Sequence, residues 1–194
     1  MLPTSRLEAV NEMLSSVGEA PVNALQTGYV ESDIAENLLD SVSRETQSKG
    51  WNFNTNEKWT LTPNSNKELY LPANTLKADG TVQNATDNWV MREGKMFNRV
   101  TNSFQSEVTL SVTLTTLLDF TSLPEAARRY ITLKASRLLQ DRTMGLGNLH
   151  QFNMQDEHNA LIELRDMDAE VNDFSIFDSF DTYQIINRTG GNVR

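Results

Sequence analysis

Asparagine is dense between Trp51 and Asn102, and that density divides the chain. An asparagine amide competes with the backbone for hydrogen bonds, so it weakens helices and favours turns. The stretches on either side carry helical patterns instead. Ser5 with Glu8 three places later forms a capping box, with Pro3 just outside it. Leu7, Val10, Leu14 and Val17 then fall on one helical face. Gly18 suits the residue after a helix, and Pro21 prevents resumption. A second helix is expected from Ser32 or Asp33 to Gly50, with Ile34, Leu38, Leu39 and Val42 as its apolar face. Two short helices joined by a loop of about a dozen residues predict an antiparallel pair.

Between the asparagine clusters lie short alternating runs: Trp51/Phe53, Trp59/Leu61 and Leu69/Leu71. Trp89-Val90-Met91 and Met96-Phe97 flank Glu93-Gly94, a two-residue hairpin turn. Val108, Leu110, Val112 and Leu114 alternate with Thr109, Ser111 and Thr113, the clearest half-buried strand in the chain. The three tryptophans, Trp51, Trp59 and Trp89, are expected to pack in the core of this β unit, ahead of the alternative of a carbohydrate platform.

Helical character returns at Ser122, which forms a second capping box with Glu125, Pro124 lying in the first turn. Ile131, Ala135, Leu138 and Leu139 line one face, and Gly145 and Gly147 end the helix. A fourth helix covers about 152–171, with Leu161, Leu164, Met167 and Val171 on its apolar side. The tail beyond it repeats an aromatic residue every third position: Phe174, Phe177, Phe180 and Tyr183. The pattern predicts an α+β chain. Residues 1–50 and 120–172 form a discontinuous antiparallel bundle of four main helices, 51–119 an inserted small antiparallel β domain, and 173–194 an extended C-terminal arm.

Composition narrows the chemistry. The 194 residues include no cysteine, which removes disulfides, thiolate metal sites and cysteine nucleophiles together. His150 and His158 are the only histidines, too few for a multi-histidine metal site. No apolar run is long enough to cross a membrane, so the chain reads as a soluble, cytosolically made protein. Phosphate-binding loops, dinucleotide fingerprints, nucleophile elbows and zinc-protease motifs are absent from the sequence. Carboxylate pairs are plentiful, as 26 acids guarantee, so a glycosidase-like pair has little specificity.

The net charge of −9 is concentrated. Residues 151–181 carry nine acids against Arg165 alone, while the preceding helix carries Arg128, Arg129, Lys134, Arg137 and Arg142. The acidic helix is a solvated face, a partner for that basic helix within the bundle or between subunits, or the wall of a passage that must not grip a polyanion. The aromatic tail either packs back on the core or serves as a docking arm.

A longer signature runs through these segments. Ala9-Val10-Asn11-Glu12-Met13-Leu14 and Val17-Gly18-Glu19-Ala20-Pro21-Val22 resemble the opening of the tail tubular protein A family, the head–tail adaptors of short-tailed bacteriophages. The likeness continues through Gln47-Ser48-Lys49-Gly50-Trp51-Asn52-Phe53-Asn54, then Leu61 and Pro63. It returns at Leu123-Pro124-Glu125, Arg129-Tyr130-Ile131 and Ala135-Ser136-Arg137. The resemblance implies a structural virion tail protein, assembled in the host bacterial cytoplasm, without catalytic activity, cofactor or metal. It implies a dodecameric ring between portal protein and tail nozzle, with tail fibres anchored nearby, genomic DNA passing through the centre and no membrane insertion. Under it, Phe174, Phe177, Phe180 and Tyr183 would dock on the portal. Glu163, Asp166 and Glu170 would face the DNA passage or a neighbour's basic helix, with Arg128 and Arg129 as the neighbour's side of that contact. The rival readings are a carboxylate-based polysaccharide hydrolase of the phage tail and a cytosolic scaffold.

Overall fold

The Ser5–Glu8 box forms as the spacing predicts. Ser5 Oγ accepts the Glu8 amide at 3.2 Å, and the Glu8 carboxylate accepts the Ser5 amide at 2.7 Å. It starts α1 (Arg6–Ser16). The helix closes with Glu19 N–H on Leu14 O and Gly18 N–H on Ser15 O, Gly18 standing at φ +81° where only glycine is unstrained. The computed structural model describes residues 3–26, 28–80, 88–143 and 147–171. The aromatic tail positions Phe174, Phe177, Phe180 and Tyr183 lie outside them.

Three further helices follow: α2 (Val30–Gln47), α3 (Glu125–Thr143) and α4 (Gly147–Val171). All four contribute to one apolar core, in which Val10, Met13, Leu14, Leu39, Ile131 and Leu164 are fully buried. Each such side chain contributes roughly 1.5–3 kcal/mol by leaving water. The third helix packs against each of the others. Arg128 reaches Thr4 O, and the Gln140 side chain reaches Ser16 O at 2.6 Å, so α1 and α3 run the same way. Lys134 pairs with Glu45, and Arg137 with Glu157. Ile34 near the start of α2 lines one groove with Val17 and Leu139 of the α1 and α3 ends, and Asn52, just past α2, bonds Asp168 near the end of α4, so α2 and α4 run the opposite way.

The middle of the chain builds two antiparallel sheets. One has strand order β1 (Thr55–Leu61), β5 (Leu110–Thr116), β2 (Thr75–Gly80). The other is the hairpin β3 (Trp89–Arg92) and β4 (Lys95–Asn98). Leu61, Leu69, Leu71, Ala78, Trp89, Met96, Leu110, Val112 and Leu114 form a second apolar core. The mixed α+β character is as the sequence indicates.

The hairpin turn has Glu93 at φ +52° and Gly94 at φ +70°, the doubly left-handed geometry that matches strand twist. Gly94→Ala is therefore expected to cost about 1 kcal/mol, visible as a lower urea midpoint with unchanged slope.

Several expectations are corrected. Trp51 and Phe53 form no strand: Asn52–Asn54 is a single 3₁₀ turn, and Trp51 packs in the helical core, stacked on Phe53 at 6.4 Å. Trp59 is 43% exposed on the edge strand, just after Lys58, whose φ of +56° marks a bulge in the β1–β5 register. Ile34 points outward, and its place in the core is taken by Ala35 one residue on. Val108 precedes β5 and is exposed. Leu69 and Leu71 are buried, but they belong to an extended segment held by single bridges rather than a strand. The second helix starts at Val30, earlier than its polar residues suggest. The fourth starts at Gly147, so that glycine opens α4 rather than ending α3. Ser122 does not cap α3. Pro124 O accepts the first helical bond, from Arg128 N–H, and Glu125 turns instead to Thr4, accepting from its amide and its hydroxyl.

Candidate functional site

The chain crosses twice between the helical core and the sheet core, at 47–55 and at 116–120. A polar junction forms where the crossings meet. Gln47 ends α2 with its side chain fully buried. Its amide nitrogen donates to Ser43 Oγ at 3.0 Å and Leu118 O at 3.1 Å, and its amide oxygen accepts Leu118 N–H at 2.8 Å. Asn54, 1% exposed, donates to Gln47 O at 3.0 Å and Thr116 O at 2.9 Å, and accepts Trp51 N–H at 2.9 Å. Trp51 Nε1 donates to Thr46 O at 2.8 Å. Asn52 clasps α4: its backbone N–H donates to the Asp168 carboxylate and its side chain to Asp168 O, both at 2.7 Å.

Every one of these amides satisfies backbone that the crossing strips of secondary-structure partners. Asparagine and glutamine serve because each offers donor and acceptor at once. The asparagines that break helix regularity in the sequence therefore have a positive role here. They lock α2, β5 and α4 to a common point. Composition alone flags the region as turn-rich and misses this.

Beside the junction is an open groove of about 330 Å³ lined by Arg6, Asp40, Ser43, Arg44 and residues 117–120. Much of its charge is engaged: Arg6 pairs with Asp40 at 2.8 Å, and Asp119 accepts from Thr121.

The predicted charged residues separate into two kinds. Arg128 is 8% exposed, and its guanidinium donates to Leu123 O, Thr121 O and Thr4 O. It fastens the start of α3 to the preceding turn and to the chain entering α1. Sequence spacing put it beside Arg129, on a basic surface; burial removes it from that surface. Arg129 is exposed. Lys134 is held by Glu45, and Arg137 by Glu157 and Asp141. The Arg137–Glu157 pair joins α3 to α4 with both side chains more than four-fifths buried, so acidic and basic helices do meet within one chain. Glu163, Asp166 and Glu170 share the outer face of α4, away from buried Ala160 and Leu164. All three are exposed, with no ion-pair partner among the described residues.

Three carboxyls at helix starts sit below their ordinary range. Hydrogen bonds from Ser5 lower Glu8, those from Thr121 lower Asp119, and those from Thr4 lower Glu125. A carboxyl lowered in the folded state stabilises it above the unfolded pKa and loses that effect as pH falls through the folded value. Urea midpoints should therefore be flat near neutrality and fall progressively below about pH 4.5, as these groups take up protons. A midpoint unchanged down to about pH 2.5 would contradict these contacts.

No group of three or more potential metal ligands occurs among the described residues, and no described helix is long and apolar enough to cross a membrane. His158 is exposed, and the side chain of His150 lies outside the described residues. Glu8, Asp119 and Glu125 serve helix starts, and Asp40, Glu45 and Glu157 serve ion pairs; the hydrolase reading finds no support. A family model described as tail tubular protein matches residues 7–174. No curated protein matches the chain.

Proposed function

Since the chain belongs to the tail tubular protein family, and is thus a structural component of a phage tail, we propose that it is the adaptor of that tail. In this reading twelve copies form a ring between portal and nozzle, DNA passes through the centre, and tail fibres anchor near the nozzle junction. The helices act as a bundle that builds the ring, and the β unit carries nozzle and fibre contacts. The observation that carries the reading is the family match, which spans both helical segments and the junction between them. A part that transmits geometry between two larger rings needs its two cores held at a fixed angle. The buried amide junction supplies that without a catalytic group.

The acidic ridge Glu163, Asp166 and Glu170 is assigned to the wall of the passage. The competing assignment, a contact with a neighbour's basic helix, loses most of its cations. Arg128 is buried, and Lys134 and Arg137 are paired at home, which leaves Arg129 and Arg142. Like charge along a passage keeps a polyanion mobile where a basic wall would hold it. Arg129→Glu should then leave ring formation unchanged, whereas a neighbour contact would be weakened.

The arm 173–194 is assigned to the portal, its aromatic residues Phe174, Phe177, Phe180 and Tyr183 acting as anchors. Deleting 173–194 should abolish co-sedimentation with portal rings while circular dichroism keeps the full helical signal. Retained binding would remove the arm from the interface.

A further inference from the structure

A second groove opens at the far end of the helices from the junction. It has a volume of about 240 Å³ and is lined by Leu14 and Val17 of the α1 end, Ile34 and Glu31 of α2, Leu139 and Thr143 of α3, and Glu19. Ile34 is 49% and neighbouring Val30 63% exposed, so the apolar floor continues onto an open apolar rim. Two acids border it. Glu19 accepts from Tyr29 Oη at 3.2 Å, and Glu31 has no ion-pair partner among the described residues. Nothing described covers this surface. It suits a short segment with branched apolar side chains followed by a cation.

The sequence contains one such segment beyond α4. Residues 182–194 hold Ile185-Ile186, then Arg188 and Arg194, and no acid. The aromatic stretch before them carries Asp173, Asp178 and Asp181, which the acidic rim would repel. Charge thus selects the register. The reach also suffices. From Ile34 to Gln47, α2 spans about 20 Å. The fourteen residues from Val171 to Ile185 extend to roughly 45 Å. The closure penalty of such a loop grows only slowly with its length.

We propose that the groove between the ends of α1 and α3 and the first turns of α2 seats the chain's own C-terminal segment, with Ile185 and Ile186 on the apolar floor and Arg188 against Glu31. The aromatic stretch would then be strung along the outside of the free subunit, tethered at both ends. This does not rest on the portal assignment, and it is tested on the free chain.

Because the sequence has no cysteine, Asn187→Cys provides a single labelling position for a nitroxide in the full-length protein. Methyl spectra are then read in dilute solution. The Ile34, Val17 and Leu139 methyl signals should lose most of their intensity. Ile185→Asp with Ile186→Asp should restore them, and Glu31→Lys should restore them in part. Full intensity at these methyls in the labelled chain would overturn the proposal. So would a loss seen only when spin-labelled and isotope-labelled chains are mixed, which would assign the groove to a second copy's tail.

Discussion

Asn54→Ala should destabilise the chain by about 4 kcal/mol, the summed cost of leaving several buried backbone groups without partners. In the native chain that one side chain satisfies Gln47 O, Thr116 O and Trp51 N–H, all within 3.0 Å. Truncation to alanine takes this partner from buried Trp51 N–H and Thr116 O, leaves Gln47 O with Gly50 N–H alone, and adds a small cavity. The melting midpoint should fall by roughly 10 °C for a chain of this size. Asn54→Asp is the sharper comparison. It keeps the acceptor for Trp51 N–H but sets a carboxylate oxygen against two carbonyls, so it should be at least as damaging as alanine. If either substitution leaves the midpoint within a degree or so of the parent, the junction is not what couples the two cores.

Arg128→Ala should cost about 3–4 kcal/mol, because hydrogen bonds from a charged donor are the strong ones and three carbonyls lose theirs together. Arg129→Glu, one residue on, should change stability by no more than about 0.5 kcal/mol, as exposed substitutions do. The contrast is the test. Thermal denaturation of the two single variants should show a wide gap, and equal effects would contradict the assignment of Arg128 as an internal fastener. It also fixes how the charge on α3 can be probed. A double reversal at 128 and 129 would break the start of α3 and report unfolding, so only Arg129 informs on assembly.

Local rules were enough to read both ends of α1 and the hairpin turn. Ser5 with Glu8, Gly18, and Glu93-Gly94 are short-range patterns whose chemistry acts within a few residues, and each forms as expected. The Leu110–Leu114 alternation succeeded for the same reason, since a central strand buries one whole face. Failures came where a distant partner outbid the local one. Glu125 had a cap waiting at Ser122 but accepts from Thr4, more than a hundred residues away. Trp51 follows a strand-like alternation, yet the helical core takes its ring. Arg128 and Arg129 are indistinguishable in a charge count, and only the path of residues 121–123 decides which is buried. The motif Gln47–Asn54 was legible as a family signature, but not its work. Its amides bond to Thr116, Leu118 and Asp168, which no local pattern connects to them.

A net charge of −9 argues against a chain that grips nucleic acid by neutralising phosphates. With Glu157 paired to Arg137 and Asp168 receiving Asn52, part of the acidic helix is structural, and the unpaired remainder is a ridge. Such a ridge is compatible with DNA that must move past rather than bind.

The adaptor reading meets its most direct test in negative-stain microscopy of the full-length chain mixed with portal rings. Closed rings of this chain stacked coaxially on the portal are the predicted result. Particles that remain single chains, with no density added to the portal, would contradict it.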